Sequence, residues 1–237
     1  MSPQFHSGCT KEVKLIIRKN QYHIKILKRF IILVSGKPFF QYMWILFFFD
    51  IFKSKARKII MNLPPRKESQ TLLEKYIENP ALRHHCEMVA AAMEAYAQNF
   101  GEDVELWYQT GLLHDLDYEK YPKEHPNKAV NEFLTDYPEE LKRAVSAHGP
   151  NITGVEPETR MERYLYACDE ISGFMYAYSL MRPNGFVGMK AGKIIKKLKD
   201  INFAAKINRE DINKGFELID GEPTEHIQFL ITTFTQT

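Results

Sequence analysis

Cysteine is scarce in this chain: three residues in 237, Cys9, Cys86 and Cys168, with no CxxC spacing among them. A disulfide framework and a thiolate zinc site are both excluded as organising features, and a reducing compartment is the expected setting. The plain reading of Cys86 and Cys168 is two small buried apolar residues. Uninterrupted apolar runs are missing as well. The longest candidate, Phe30 to Phe52, is broken at Gly36-Lys37-Pro38, and neither half reaches the roughly 20 residues that a spanning helix needs. A cleavable secretory signal is excluded by the late apolar core and the lack of small residues after it. Alternating strand patterns and internal repeats are absent, which removes the β classes and the solenoids.

Charge is divided unevenly. Residues 1–60 carry 12 Lys/Arg and 2 Asp/Glu, whereas residues 61–237 carry 20 and 28. Half of the 16 phenylalanines lie in the first 60 residues. Three readings of residues 1–60 follow: a membrane-associated anchor with a basic flank, an adventitious extension, or upstream translation of AT-rich sequence with the working protein starting at Met61. The acidic balance of residues 61–237 argues against a nucleic-acid groove.

From Met61 onward the apolar period is 3.6. It predicts helices over 67–78, 82–99, 103–115, 127–136, 138–148, 157–181, 208–219 and 224–234, with a basic segment at 190–199 and loops at 116–126, 149–157 and 183–192. Asn79-Pro80, Gly101, Gly149-Pro150, Arg182-Pro183 and Asp220-Gly221 mark the stops. The fold class is therefore all-α.

Six polar residues fall on or beside the apolar stripes. His114 and Asp115 end the run Gly111-Leu112-Leu113, in line with Trp107. His85 precedes Met88 and Val89, His125 precedes Ala129, His148 follows Ala144 and Val145, and Asp169 follows Leu165. A single core-facing histidine is usually just hydrogen-bonded. Four imidazoles and two carboxylates from five separate segments would be costly to bury together unless cations neutralise them. Nitrogen and carboxylate donors without thiolates suit zinc, manganese, iron, nickel or cobalt better than calcium, and do not separate these from magnesium. Six ligands exceed the needs of one open site, and a carboxylate can bridge two ions about 3.5–4 Å apart.

The ordered set His85, His114-Asp115, His125, His148 and Asp169, with Leu113-His114-Asp115-Leu116-Asp117-Tyr118 and Ala167-Cys168-Asp169-Glu170, resembles the HD domain superfamily of metal-dependent hydrolases. The resemblance runs from about Met61 to the C-terminus and implies an HD-domain helical bundle over 61–237, preceded by an N-terminal extension (1–60) that matches nothing in the family. By position it implies that His85, His114, Asp115 and Asp169 hold one divalent ion. His125 and His148 would hold a second, with Asp115 as the bridge. The implied function is hydrolysis of a small phosphorylated metabolite or nucleotide by a cytoplasmic enzyme, with His114, Asp115 and Asp117 in catalytic roles. Asp117 or Glu124 would orient an imidazole or take a proton. Arg182 and Lys190 are the expected substrate contacts, and the lysines at 193–199 read as a solvated helix face. Membrane contact is expected only through residues 1–60. Some members of the family hold two irons in this ligand order and perform oxygen chemistry, and a ligand-sensing module without activity is a third reading.

Overall fold

The structure is a computed structural model and describes residues 63–236. The readings made for residues 1–60, for Cys9 and for a start at Met61 lie outside the described residues. Every regular element among the described residues is helical. In chain order these are α1 (Arg66–Tyr76), α2 (Pro80–Phe100), α3 (Val104–Leu113), a π-helical segment Ala129–Phe133, α4 (Glu139–Ala147), α5 (Pro150–Thr153), α6 (Arg160–Ser179), α7 (Ala191–Leu198), α8 (Arg209–Leu218) and α9 (Pro223–Phe234). No helix among them is long and apolar enough to cross a membrane.

Local chemistry explains most of the boundaries. Asn79 caps α2 by accepting from the Ala81 amide at 2.9 Å, Pro80 occupies the first helical position, and Gly101 ends the helix at φ 68°. Asp103 caps α3 through the Leu106 amide at 3.2 Å. Thr159 and Glu162 form a capping box at the head of α6, and the Arg143 guanidinium donates to the same Glu162 carboxylate.

Two expectations need correction. The segment 127–136 is not an ordinary α-helix: its central turn is π-helical, with the Leu134 amide bonded to the Ala129 carbonyl at 2.9 Å. The cause is visible one turn earlier, where the Ala129 amide is drawn to the Asp117 carboxylate at 2.7 Å. The loop expected at 149–157 contains α5. Pro150, read as a helix stop, starts this short helix instead, because a proline at the first position lacks only an amide hydrogen that had no partner there. The basic segment 190–199 proves to be the helix α7.

The core lies where α2, α3 and α6 meet. Val89, Met93, Leu112, Leu113, Leu165, Ile171, Phe174 and Met175 are fully enclosed there. Gly111 allows α3 to approach α2 closely, since a Cβ at this position would fall 2.8 Å from Ala90 Cα. Gly215 does the same for α8 on α6, against Ala167 Cα at 2.9 Å. The first of these close approaches sets the C-terminal part of α3 against the middle of α2.

Candidate metal centre

His114 stands at the C-cap of α3 and His148 at the C-cap of α4. The two are held in the same way. His114 Nδ1 lies 2.7 Å from the Gly111 carbonyl and His148 Nδ1 lies 2.5 Å from the Val145 carbonyl, each three residues back. A carbonyl can only accept, so Nδ1 carries the proton and Nε2 is turned away from the helix. His125 reaches the same state by another route: its Nδ1 lies 2.6 Å from Asp117 Oδ1. Asp117 is fully buried and spends its second oxygen on the Ala129 amide.

These Nε2 atoms converge on two carboxylates. Asp115 Oδ2 lies 3.5 Å from His114 Nε2 and 3.8 Å from His85 Nε2, while Asp169 Oδ1 lies 3.4 Å and 2.9 Å from the same two atoms. The other oxygen of Asp115, Oδ1, faces His125 Nε2 at 3.4 Å and His148 Nε2 at 3.7 Å. The side chains thus form two groups that could each hold a metal ion, His85/His114/Asp115/Asp169 and Asp115/His125/His148, with Asp115 common to both.

Two observations test whether a cation fits. His114 Nε2 is buried and has no hydrogen-bond partner among the described residues, an expensive state for a ring nitrogen unless it binds something. His125 Nε2 and His148 Nε2 approach to 3.0 Å, although each ring already donates through Nδ1. Two lone pairs face one another there, and only a positive charge between them makes the contact favourable. Protonation follows the same logic. Burial opposes the charged form of His114, yet Asp115 and Asp169 outweigh it and lift the imidazole to about 9. Burial likewise works against Asp115 and Asp169, but the neighbouring imidazoles, His114 first, hold both carboxyls well below the usual range. Metal ions would replace the protons that this pocket attracts. The donor set of imidazole nitrogens and carboxylate oxygens fits a divalent transition ion.

The thiols take no part. Burial and the nearby carboxylates push Cys86 and Cys168 far above the ordinary thiol value, and neither belongs to the two groups of candidate ligands. Glu124 is at the surface, 3.7 Å from the Lys128 ammonium, and does not reach an imidazole. Arg182 turns back on its own loop: Nε donates to the Gly185 carbonyl at 2.8 Å and Nη2 to the Val187 carbonyl at 2.9 Å. Lys190 is exposed at the N-cap of α7.

Two neighbours of the centre escaped the sequence reading. The Tyr118 ring packs edge-on to His125 with centroids 5.2 Å apart, and half of the residue is exposed. Its place next to Asp117 in the chain was the only signal. The Glu170 carboxyl is raised to about 8 by burial and then by Asp169 and Asp211. It follows a ligand directly, yet sequence alone assigns no environment to it.

A helical domain that gathers a His-Asp pair at a helix end with further His and Asp side chains has the residues that could hold a metal ion in the HD arrangement. Comparison with family models agrees: residues 82–173 match the family described as HD domain, which supports membership of the HD domain superfamily. All six candidate ligands lie inside the matched segment, and residues 1–60 lie outside it. Comparisons with curated proteins and with solved structures returned no match.

Proposed function

We propose that the protein is a cytoplasmic, metal-dependent hydrolase that cleaves a phosphate ester of a small phosphorylated metabolite or nucleotide. HD domains are typically metal-dependent hydrolases. The observation that carries the reading is Asp115, whose two oxygens are turned to separate sets of nitrogen donors at 3.4–3.8 Å. A carboxylate so placed suits a pair of divalent ions. Such ions bring a coordinated water toward neutral pKa and offset charge on attacking and leaving oxygens.

The chain's own residues then have separable tasks. Asp115 would offer one oxygen to each ion. His85, His114 and Asp169 complete one set of donors, and His125 and His148 the other. Asp117 holds the Nδ1 proton of His125, so that Nε2 stays available. Lys190, without a partner among the described residues, remains the candidate contact for a phosphoryl group, whereas Arg182 shapes the loop that precedes it.

The donor set is rich in nitrogen and would also suit a di-iron oxygenase. Metal analysis and an optical spectrum of the purified chain separate that reading from hydrolysis. For the hydrolase, the full chain is supplied in turn with manganese, iron, zinc, cobalt, nickel and magnesium and assayed for phosphate release from phosphomonoesters, phosphodiesters and nucleotides. Release that depends on metal and disappears in Asp115→Asn is the expected result. Tight metal uptake without hydrolysis of any of these esters would count against it.

A further inference from the structure

Six large apolar side chains stand exposed among the described residues, and four of them crowd one stretch: Leu180 (68%), Met181 (63%), Val187 (57%) and Ile201 (75%). The same stretch, 180–206, holds seven Lys/Arg and one Asp/Glu, whereas the rest of residues 61–237 holds 13 and 27. Apolar exposure and positive charge therefore coincide on a domain that is otherwise acidic.

The folding of the stretch explains the coincidence. Helix α7 buries Ala191 and Ile194 and packs on α9. Lys193, Lys196 and Lys199 lie on the opposite, exposed side at spacing three. The preceding loop rests on the same helix α9, through Phe186 against Phe234 with centroids 5.3 Å apart, and the Arg182 bonds to Gly185 and Val187 hold its shape. Lys197 alone is engaged, by Asp200 at 2.9 Å and by the Phe203 ring. Lys193, Lys196, Lys199 and Lys206 have no carboxylate partner among the described residues.

We propose that residues 180–206 form a docking face for an anionic lipid surface. The lysines meet acidic headgroups, and Leu180, Met181, Val187 and Ile201 enter the boundary with the acyl chains. A nucleic-acid backbone would engage the lysines and leave the four apolar side chains in water. A lipid surface receives both. This contact belongs to the folded domain and does not depend on residues 1–60.

The test is flotation of the full chain with vesicles of phosphatidylcholine alone or with about a third phosphatidylglycerol. Wild type is expected on the anionic vesicles only, and high salt should release it. A lysine close to an anionic surface contributes about a fivefold gain in partition, so Lys193→Glu/Lys196→Glu/Lys199→Glu should lower binding about 100-fold. Leu180→Ser/Met181→Ser should weaken what binding persists as salt is raised. Unchanged metal content and melting temperature show that the variants are folded. Because residues 1–60 are themselves basic, the comparison is between full chains that differ only at these sites. Equal binding of the triple variant and wild type overturns the proposal. So does equal binding to neutral vesicles, or capture of polyphosphate or RNA without capture of vesicles.

Discussion

Replacing Asp117 by Asn changes few atoms and should separate the two halves of the metal centre. The carboxylate is enclosed on all sides and accepts from two donors, His125 Nδ1 at 2.6 Å and the Ala129 amide at 2.7 Å. An amide has one accepting oxygen and one donating NH2. If the oxygen faces His125, the NH2 meets the Ala129 N–H, and two buried donors go unsatisfied at about 1–3 kcal/mol each. If the oxygen faces Ala129, the NH2 meets His125 Nδ1 and is satisfied only when that nitrogen gives up its proton. The proton then moves to Nε2, the atom that points at Asp115, and His125 can no longer be a ligand. Loss of an outer hydrogen bond of this kind costs about 10- to 100-fold in metal affinity. The loss should be confined to the group Asp115/His125/His148, because His85, His114 and Asp169 make no contact with Asp117. Titration of apo-protein by calorimetry should therefore show one ion bound as in wild type and one bound about 10- to 100-fold more weakly, with urea unfolding of the apo-protein reporting the structural cost separately. Equal weakening of both ions, or of neither, refutes the assignment of Asp117 to the second group.

Asp115→Ala should weaken both ions, since each loses an oxygen of the bridge; metal analysis after dialysis reads this, and two tightly held ions would contradict the shared ligand. Gly111→Ala would set a Cβ 2.8 Å from both Ala90 Cα and the Val89 carbonyl oxygen; forcing α2 and α3 apart should cost about 1–3 kcal/mol in urea unfolding, with no effect expected if the helices can slide freely. His226 is buried between the Tyr96 hydroxyl at 2.6 Å and the Ala167 carbonyl at 3.2 Å, and burial holds its imidazole down to about 4. The unfolded chain therefore takes this proton first: the stabilisation is complete above the unfolded value near 6.5, is lost as pH falls toward 4, and amounts to about 3 kcal/mol at most. His226→Gln should flatten that part of the stability–pH curve, and an unchanged curve would show that His226 is not responsible.

Helix ends and the candidate ligands stood out in the sequence for one reason: both signals are local. Asn79-Pro80 and Gly101 announce helix ends because the unpaired amides and carbonyls there need particular residues nearby. His85, His114, Asp115 and Asp169 stood out because polar residues on an apolar stripe are expensive. What stayed hidden depends on partners far along the chain. The distortion at Ala129–Phe133 arises from a carboxylate twelve residues earlier, and nothing in Ala129-Val130-Asn131 signals it. Asp117 and Glu124 looked equivalent as candidates to orient an imidazole, and only the turn after α3 sends one inward and leaves the other beside Lys128. Nothing in the sequence signalled that the Arg182 guanidinium would donate to the Gly185 and Val187 carbonyls.

The repeated use of helix C-termini shows why this arrangement calls for cations. Carbonyl groups of the last turn carry the negative end of the helix dipole, equivalent to roughly half an elementary charge. Both α3 and α4 end at the centre, and each donates a histidine whose Nδ1 is pinned to such a carbonyl. The pinning aims Nε2 inward and makes it a better electron donor. Asp115 and Asp169 then add two full negative charges to a place already made negative by two helix ends. Three imidazole lone pairs, two dipole ends and two carboxylates all favour the same sign of guest. A centre built only to stabilise the fold would do better with apolar side chains of similar volume. The electrostatic cost of leaving such a centre without a cation is what ties the two C-caps, the shared carboxylate and the proposed chemistry together.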